Sequence, residues 1–345
     1  MKVSRTVWSR GKGGDNLKTL PIAIGKPRIE KSGSMNIVFM GTPDFAVPTL
    51  QMLINEKHNI QLVITQPDRP KGRGNTLTMS PVKELAVKYD LEVRQPERIK
   101  QDEELYEYLK KLSPDLIVVV AFGQILPESI LNIPKLGCIN IHGSLLPRYR
   151  GAAPIQWSII NDEQVTGVTI MYMDKGMDTG DIIYKKEIPI LPNETATSLY
   201  NKMMYIGADA LKEALPLIEA GGKLREVQNH SAATYAPIIT KSLGEIDWSQ
   251  SAEAIDCLVR GVESWPGAYT YYDSQPIKVF NLNILNRNYP PEETGVILDI
   301  DDGLVVQTSR AQILIKEIQM PNKKRMPVME YLKGNTISVG DKLGI

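Results

Sequence analysis

Short apolar runs alternate with amphipathic segments along the chain from Met35 to Ala220. The runs are rich in Val and Ile, which favours buried strands, and the segments between them carry apolar residues at helical spacing. Strands are predicted at Asn36–Met40, Gln61–Thr65, Leu116–Ala121, Cys138–Ile141 and Thr166–Met173, and helices at Phe45–Asn55, Pro81–Tyr89, Glu103–Lys111, Ala152–Asn161 and Ala196–Ala220. Apolar strands separated by helices are typical of a parallel sheet that is covered on both faces. The pattern therefore predicts an α/β fold with a doubly wound, Rossmann-like parallel sheet.

The pattern changes after a polar stretch, Gln228–Thr240. One helix is predicted at Ile246–Arg260, and turn signals such as Asp301-Asp302-Gly303 then separate short apolar runs. These runs predict strands at Ala268–Tyr272, Ile277–Leu285, Gly295–Asp299, Leu304–Thr308 and Ile313–Ile318. Several short strands in succession are typical of a small β-barrel, here of the oligonucleotide-binding (OB) type. We expect a first domain at 35–225, a linker at 226–240 and a C-terminal β-barrel domain at 241–345.

The first 34 residues differ from the rest of the chain. They show no hydrophobic periodicity and hold eight Lys or Arg against two acidic residues, a balance of +6. Because the formal net charge of the whole chain is zero, the other 311 residues carry a balance of −6. We expect 1–34 to be a disordered or non-native extension; a basic targeting peptide is the alternative, although Lys outnumbers Arg and Ser is sparse. Contact with a polyanion then requires a local basic patch, since the average charge is unfavourable.

Composition narrows the classes of protein further. At 345 residues, the chain is long enough for two domains. No apolar run approaches the ~20 residues that span a bilayer, so membrane contact is not expected. The two cysteines, Cys138 and Cys257, are far apart, which favours neither a disulfide framework nor a zinc site, and no metal is expected. The turn Gly41–Phe45 has one glycine, and Asp44 places negative charge where a phosphate would lie, so dinucleotide binding is not expected.

Candidate chemistry is concentrated in Asn140 and His142, at the end of a predicted strand, and in Asp178. Residues at i and i+2 of a strand face the same side, and ligands of doubly wound folds lie at the carboxyl ends of strands. An amide, an imidazole and a carboxylate can stabilise an oxyanion and move a proton, which suits transfer of an acyl-type group to an amine. Taken alone, His142 is better explained as a core histidine and Asp178 as a turn carboxylate.

Four segments are similar to the folate-dependent formyltransferases. They are Gly41–Ala46, Gln66–Gly74, Gly137–Gln156 and Met177–Asp181, and the resemblance covers essentially 35–345. The Asn-x-His and Asp core is shared across the family, including its hydrolases. The run Arg148–Gln156, the Arg-containing loop after the second strand and the C-terminal β domain resemble the methionyl-tRNA formyltransferases in particular. The first 34 residues lie outside the family pattern.

The resemblance implies transfer of the formyl group of 10-formyltetrahydrofolate to the α-amino group of methionyl-initiator tRNA. It implies that Asn140 and His142 stabilise the oxyanion, and that Asp178 orients the imidazole and helps to remove the amine proton. Folate is expected to contact Gln124, Ile125, Leu126, Ser144, Leu145, Leu146 and Pro147. The tRNA is expected to contact Arg69, Lys71 and Arg73, of which Arg73 matches an important arginine of the family. A plain solvated loop is the alternative for these three cations.

Three other functions remain open. A formyltetrahydrofolate hydrolase would release formate to water, and an amino-sugar formyltransferase would use a nucleotide sugar as the acceptor. A non-catalytic RNA-binding protein would use the barrel alone, but it leaves Asn140, His142 and Asp178 without a purpose. We expect a monomer in the bacterial cytoplasm, with an organelle of bacterial ancestry as the alternative location.

Overall fold

The structure, a computed structural model, describes residues 33–71, 76–221, 225–287 and 292–344. The expected extension at 1–34 therefore lies almost wholly outside the described residues. The strands of the first part of the chain are β1 (Asn36–Gly41), β2 (Asn59–Ile64), β3 (Arg69–Lys71), β4 (Thr76–Thr78), β5 (Val93–Arg94), β6 (Leu116–Val120), β7 (Cys138–His142), β8 (Val165–Tyr172) and β9 (Ile182–Pro189). The helices are α1 (Val47–Asn55), α2 (Pro81–Lys88), α3 (Glu103–Leu112), α4 (Glu128–Leu131), α5 (Pro154–Ile160) and α6 (Ala196–Glu219).

Seven of these strands form one sheet in the order β5-β2-β1-β6-β7-β8-β9. The first five in this order are parallel, with β1 central between β2 and β6. Consecutive residues of β1 point to opposite faces: Phe39 packs in a core with Leu50 of α1 and Leu211 of α6, whereas Met40 packs in another core with Leu109 of α3. A sheet with a core on each face is the doubly wound arrangement, so the predicted fold class is confirmed.

The last two strands of the sheet differ from the prediction. A fully parallel sheet was expected, but β8 is antiparallel to β7, and β9 is antiparallel to β8. The connection between β8 and β9 contains no helix and is too short for the crossover that a parallel pair requires. Between β7 and β8, the helix α5 packs with α6 in a core of the sheet through Ile155 and Ile159, and it also contacts the helix Ala252–Gly261 of the second part of the chain. The loops that follow the parallel strands β6 and β7 therefore lie beside the antiparallel strands β8 and β9.

The second part of the chain forms an antiparallel sheet with one long helix. Its elements are α7 (Ala252–Gly261), β10 (Tyr269–Tyr272), β11 (Gln275–Leu285), β12 (Ile297–Asp299), β13 (Leu304–Gln307), β14 (Gln312–Gln319), β15 (Met326–Pro327) and α8 (Val328–Tyr331). The order is β10-β11-β14-β13-β12, and β15 also pairs with β14. The predicted helix at Ile246–Arg260 begins only at Ala252, after the Ser251 cap, because Ile246 and Trp248 are buried in the core of this sheet.

Closure of this sheet into a barrel is incomplete within the described residues. The two edge strands, β10 and β12, are not neighbours in the ladder. The C-terminal segment lies between them: Gly344 donates its N–H to the carbonyl of Tyr271 at 2.8 Å, and Leu343 donates to the carbonyl of Gly295 at 2.8 Å. The separate antiparallel C-terminal sheet is confirmed, whereas a closed OB-type barrel stays a prediction.

Candidate active site

A cavity of about 480 Å³ lies at the carboxyl ends of the parallel strands. This size suits a small organic ligand, and the location is the one at which doubly wound sheets bind ligands. Asn140, His142 and Asp178 all line it, although Asp178 is 36 residues beyond His142 in the chain. The other residues of its wall include Phe45, Ala121, Phe122, Gly123, Gln124, Gly143, Gly151, Ile155, Met173 and Tyr200.

Strand β7 places two of the three polar side chains. Asn140 lies opposite Val119 of β6 and Met171 of β8, so the strand is paired on both sides at this point. His142 is the last residue of β7 and lies opposite Thr169 of β8. Because residues at i and i+2 of a strand share a face, both side chains reach the same cavity. The strand thus places the amide and the imidazole on the same side of the sheet.

The two ring nitrogens of His142 have different neighbours. Nε2 lies 2.9 Å from the main-chain oxygen of Tyr149, and Nδ1 lies 3.6 Å from Oδ2 of Asp178. A carbonyl only accepts hydrogen bonds, so the proton on Nε2 is donated to Tyr149. The side chain of His142 is 6% exposed. The Tyr149 carbonyl therefore fixes the tautomer, a role that the sequence suggested for Asp178, and leaves Nδ1 facing the carboxylate.

Asp178 is held by main-chain groups. Its Oδ2 accepts the N–H of Gly151 at 2.8 Å. Asp178 and Tyr149 both have positive φ angles, +53° and +59°, which cost free energy in residues other than glycine. Gly151, with φ of +118°, comes so close to the carbonyl of Ala236 that a Cβ would lie 2.8 Å from that oxygen. Sequence reasoning missed these groups because main-chain donors and acceptors carry no residue signature; the glycine at 151 was the one available signal.

The segment after β6 forms the wall where folate contacts were expected. Ala121 and Gly123 have positive φ angles of +46° and +86°. The side-chain amide of Gln124 is already occupied: its oxygen accepts the N–H of Ile99 at 2.7 Å, and its nitrogen donates to the carbonyl of Pro96 at 3.0 Å. The main chain of Gln124 is thus the part left for a ligand.

The other residues expected to contact folate lie elsewhere. Ile125 is 83% exposed and Leu126 is buried in the core under α3. The hydroxyl of Ser144 donates to the carbonyl of Arg148 at 2.6 Å, and Leu146 packs with Met171 and Ile182. None of Ile125, Leu126, Ser144, Leu145, Leu146 and Pro147 is among the described residues that line the cavity. Contact of folate with these residues stays a prediction.

An aromatic wall closes another side of the cavity. The rings of Phe45 and Tyr200 are 5.2 Å apart, and the Tyr200 hydroxyl donates to Oδ1 of Asp44 at 2.6 Å. Burial, followed by the hydrogen bond to Asp44, raises the pKa of the Tyr200 phenol. The phenol is therefore a neutral donor at physiological pH. Its hydrogen bond to Asp44 connects α6 to the turn that follows β1.

The thiols of the described residues are not nucleophiles in this site. Cys138, on β7, does not line the cavity. Its burial raises the pKa of the thiol to about 12, and burial likewise raises the pKa of Cys257 to about 11. Thiols with such pKa values are protonated at neutral pH and react poorly.

The expected basic loop is a small β-hairpin. Strands β3 and β4 pair antiparallel, with Arg69 opposite Thr78, and Arg69 is exposed. At its base, Lys83 pairs with Asp68 at 2.5 Å, and Gln95 donates to Oδ1 of Asp68 at 2.8 Å. The hydrogen bonds from Lys83 and Gln95 lower the pKa of Asp68. Arg73 and the side chain of Lys71, the other two expected tRNA contacts, lie outside the described residues.

Two absences hold for the part of the chain that the structure describes. Its residues contain no group of three or more His, Cys, Asp or Glu that could hold a metal ion. Among the same residues, no helix is both long enough and apolar enough to cross a membrane.

Two family models match this chain. Residues 35–215 match the family model described as formyl transferase, and residues 238–336 match the model described as formyl transferase, C-terminal domain. The fold, the cavity and these matches define the class of protein: the chain is a formyl transferase.

Similar curated proteins show to which family of formyl transferases the chain belongs. The methionyl-tRNA formyltransferase of Clostridioides difficile is 58% identical over 311 residues, which cover 90% of this chain and 100% of the relative. The methionyl-tRNA formyltransferase of Acetivibrio thermocellus is 49% identical over 314 residues, again covering 90% of this chain and 100% of the relative. The chain belongs to the methionyl-tRNA formyltransferase family.

Solved structures show the same fold at low sequence identity. The N-formyltransferase from Helicobacter canadensis, solved with folinic acid and dTDP-3-aminofucose, has a TM-score of 0.63 at 20% identity and covers 81% of this chain and 98% of its own. HypX from Aquifex aeolicus, solved with tetrahydrofolic acid, has a TM-score of 0.58 at 17% identity and covers 89% of this chain and 51% of its own. A fold hosts many activities, so these two likenesses support the architecture alone.

Proposed function

We propose that the chain transfers the formyl group of 10-formyltetrahydrofolate to the α-amino group of methionyl-initiator tRNA, giving N-formylmethionyl-tRNA for translation initiation. The observation that carries the proposal is the convergence of Asn140, His142 and Asp178 on one cavity in a chain 58% identical to a named methionyl-tRNA formyltransferase. The family uses 10-formyltetrahydrofolate as the formyl donor.

The reaction joins an amine to a formyl carbon. The neutral α-amine of the methionyl group attacks that carbon, and the electron pair of the C=O bond moves to oxygen. The tetrahedral centre then collapses: the C–N10 bond of the folate breaks, N10 takes a proton, and the amine nitrogen loses one. An α-amino group has a pKa near ~8, so a large fraction is neutral close to physiological pH. The substrate therefore supplies its own nucleophile.

The protein supplies an oxyanion donor and a proton acceptor. The amide of Asn140 donates a hydrogen bond to the formyl oxygen, where one such donor is typically worth ~2.7–4 kcal/mol in the transition state. Nδ1 of His142 and the carboxylate of Asp178, 3.6 Å apart, together receive the proton of the amine, directly or through a water. The resemblance implied that His142 also stabilises the oxyanion; because its Nε2 donates to Tyr149 and its Nδ1 faces Asp178, we propose it as a proton acceptor instead.

The folate is proposed to bind along the wall formed by 121–124, with the neighbouring residues 125–126 and 144–147 as further proposed contacts outside the cavity lining. The observation in favour is the main chain at Ala121 and Gly123, whose positive φ angles turn N–H and C=O groups away from the regular strand. Such groups recognise the donor and acceptor edge of a pterin, and Phe45 and Phe122 provide apolar contact with its ring. Two proteins of this fold were solved with tetrahydrofolic acid or folinic acid.

The tRNA is proposed to use two surfaces. The first is the β3–β4 hairpin, with Arg69, Lys71 and Arg73 against the acceptor end. The second is a groove of about 850 Å³ in the C-terminal domain. It is lined by Lys241, Lys278 and an exposed Trp265, and none of its described lining residues is acidic. Aromatic faces beside lysines suit an unpaired base and its phosphate.

The domain boundaries follow from these roles. We propose a catalytic domain at 35–225, a linker at 226–240 and a tRNA-binding domain at 241–345, working as a monomer in the cytoplasm. The extension 1–34 carries no assigned role.

The molecule that accepts the formyl group distinguishes this function from that of a hydrolase or an amino-sugar formyltransferase. The full chain is incubated with 10-formyltetrahydrofolate labelled in the formyl group, together with water alone, a nucleotide amino sugar or methionyl-initiator tRNA. We expect the label on methionyl-tRNA. Release of formate without tRNA would indicate a hydrolase, and label on the sugar would indicate an amino-sugar formyltransferase; either result contradicts the proposal.

A further inference from the structure

The segment 226–240, which we call the strap, runs beside the loop that joins β7 to α5. The N–H of Arg150 donates to the carbonyl of Thr234 at 2.8 Å, and the N–H of Ala236 donates back to the carbonyl of Arg150 at 2.7 Å. The N–H of Ala153 continues the pattern by donating to the carbonyl of Ala236 at 3.2 Å. The strap therefore pairs with the main chain of the active-site loop and is more than a connection between domains.

Gln228 links the strap to Asp178. Gln228 is 2% exposed, and its amide nitrogen donates to the carbonyl of Asp178 at 2.9 Å and to the carbonyl of Gly180 at 2.7 Å. The carboxylate of Asp178 meanwhile accepts the N–H of Gly151. Both ends of Asp178 are thus held. The φ of +53° at Asp178 is a left-handed conformation that Asp adopts more readily than most residues, and these contacts stabilise it.

Arg150 fixes the orientation of the Gln228 amide. Its Nε and Nη2 donate to Oε1 of Gln228 at 3.2 Å and 2.6 Å, and Nη2 also donates to Nδ1 of His230 at 3.0 Å. A guanidinium only donates, so the amide oxygen must face Arg150 and the amide nitrogen must face the two carbonyls. Arg150 is 3% exposed. Removal of the acceptor would leave a buried cation poorly paired, which is costly, so the arrangement resists rotation of the amide.

We propose that Gln228 and Arg150 are positioning residues for the formyl transfer, because they hold Asp178 against His142. The kinetic part of this inference rests on the proposed function. Neither residue is among the described residues that line the cavity, so neither is expected to touch a substrate. Movement of Asp178 would change the 3.6 Å separation between its Oδ2 and Nδ1 of His142, and a misplacement of about 1 Å can cost about 100-fold in rate.

Two substitutions at Gln228 distinguish its contact with Arg150 from its contacts with Asp178 and Gly180. Gln228→Met keeps the length of the side chain but removes both the donor and the acceptor. Gln228→Glu keeps an acceptor for Arg150 and removes the donors to Asp178 and Gly180. The matched control is Trp157→Phe, which removes one strap hydrogen bond of similar length, from Trp157 Nε1 to the carbonyl of Pro237 at 2.8 Å, with no contact to Asp178.

The kinetic expectation is a fall in kcat without a matching rise in KM. With methionyl-tRNA and 10-formyltetrahydrofolate, both Gln228 variants are expected to lose at least about tenfold in kcat, with KM for each substrate nearly unchanged. Trp157→Phe is expected to keep the wild-type kcat. A kcat close to wild type in both Gln228 variants, or an equal loss in Trp157→Phe, would overturn the inference.

A second measurement does not depend on catalysis. The chain has three histidines, so ring nitrogen signals in an NMR spectrum can be assigned by replacing each in turn with Gln. We expect the ring signals of His142 to move in Gln228→Glu and to stay at the wild-type values in Trp157→Phe. Unmoved His142 signals would also overturn the inference. If the wild-type chain does not formylate methionyl-tRNA, the proposed function fails while this spectrum still tests the position of Asp178.

Folding is checked by circular dichroism before either measurement. If Gln228→Met does not fold, the comparison uses Gln228→Glu, whose carboxylate keeps Arg150 paired. Failure of both variants to fold would contradict a positioning role, because the contact would then be a general structural requirement.

Discussion

The active-site loop and the basic hairpin lie in the same domain and are built in opposite ways. The imidazole of His142 is buried between Tyr149 and Asp178, and Asp178 is itself held by Gly151. The hairpin is two short strands held at their base, through Asp68 and Lys83, with Arg69 exposed beyond it. Proton transfer needs groups at fixed distances, whereas a polyanion is bound through charges that reach into solvent. We therefore expect substitutions in the active-site loop to lower kcat and substitutions in the hairpin to raise KM for tRNA.

Asp178→Asn tests the buried side of this comparison and is expected to have the largest effect. The amide keeps an oxygen for the N–H of Gly151 but removes the negative charge facing Nδ1 of His142. We expect kcat to fall about 10²–10⁴-fold with little change in either KM, measured in steady-state assays. A large rise in KM with an unchanged kcat would place Asp178 in substrate binding instead.

Arg69→Ala and Arg73→Ala test the exposed side. Each removes a cation that we assign to tRNA phosphates, so KM for methionyl-tRNA is expected to rise while KM for folate and kcat stay near wild type. The slope of log KM against log salt concentration is expected to fall by about 1 for each phosphate-binding cation that is removed. Lys110→Ala, which removes an exposed cation from α3, is the control. Equal effects on tRNA and folate would contradict the assignment of the hairpin.

Trp265→Ala asks whether the groove of the C-terminal domain takes an unpaired base. Stacking of one base is worth ~1–3 kcal/mol, so KM for methionyl-tRNA is expected to rise at least about fivefold. Trp265→Phe keeps an aromatic face and is expected to recover most of the loss. Identical KM values for the wild type and Trp265→Ala would remove the groove from the tRNA interface.

Asp68→Asn tests how the hairpin is anchored and is expected to have the smallest effect. The pKa of Asp68 is lowered by Lys83 and Gln95, so its ionised form stabilises the folded state above the unfolded pKa of about 3.9. That contribution is lost as the pH falls through the folded pKa, which is lower. We expect the wild type to exceed Asp68→Asn by less than about 1 kcal/mol in free energy of unfolding at pH 7.

Urea unfolding at a series of pH values checks this sign. The difference between the two proteins is expected to shrink below about pH 4. A difference that grows on acidification would contradict the assigned role of Asp68.

The apolar pattern predicted most of the fold because buried strands need long Val and Ile runs, as in β6. It missed β9, whose Tyr184, Lys185 and Lys186 give an edge strand no apolar signature. It also could not give the direction of β8, since β8 is buried along nearly its whole length, as the parallel strands are. A helix was predicted from Ile246 because local periodicity does not distinguish burial under a helix from burial in an extended segment.

Only the part of the site that consists of distinctive side chains could be predicted from the sequence. Asn140, His142 and Asp178 stand out by residue type, and the structure brings them to one cavity. The Tyr149 carbonyl gave no signal, because every residue has a carbonyl and only the chain path selects this one. By sequence, Gln228 lies in an ordinary polar linker, and only its hydrogen bond to the carbonyl of Asp178, 50 residues away, marks it as part of the site.

The most direct test of the central claim is a single-turnover rate for His142→Ala, with methionyl-tRNA bound and 10-formyltetrahydrofolate in excess. Because His142 lies on a strand and its ring touches no described part of the hairpin, tRNA binding is expected to survive the substitution. We predict that the formyl-transfer rate falls by about 10²-fold or more while the dissociation constant of the tRNA is unchanged. A transfer rate equal to that of the wild type would contradict the account.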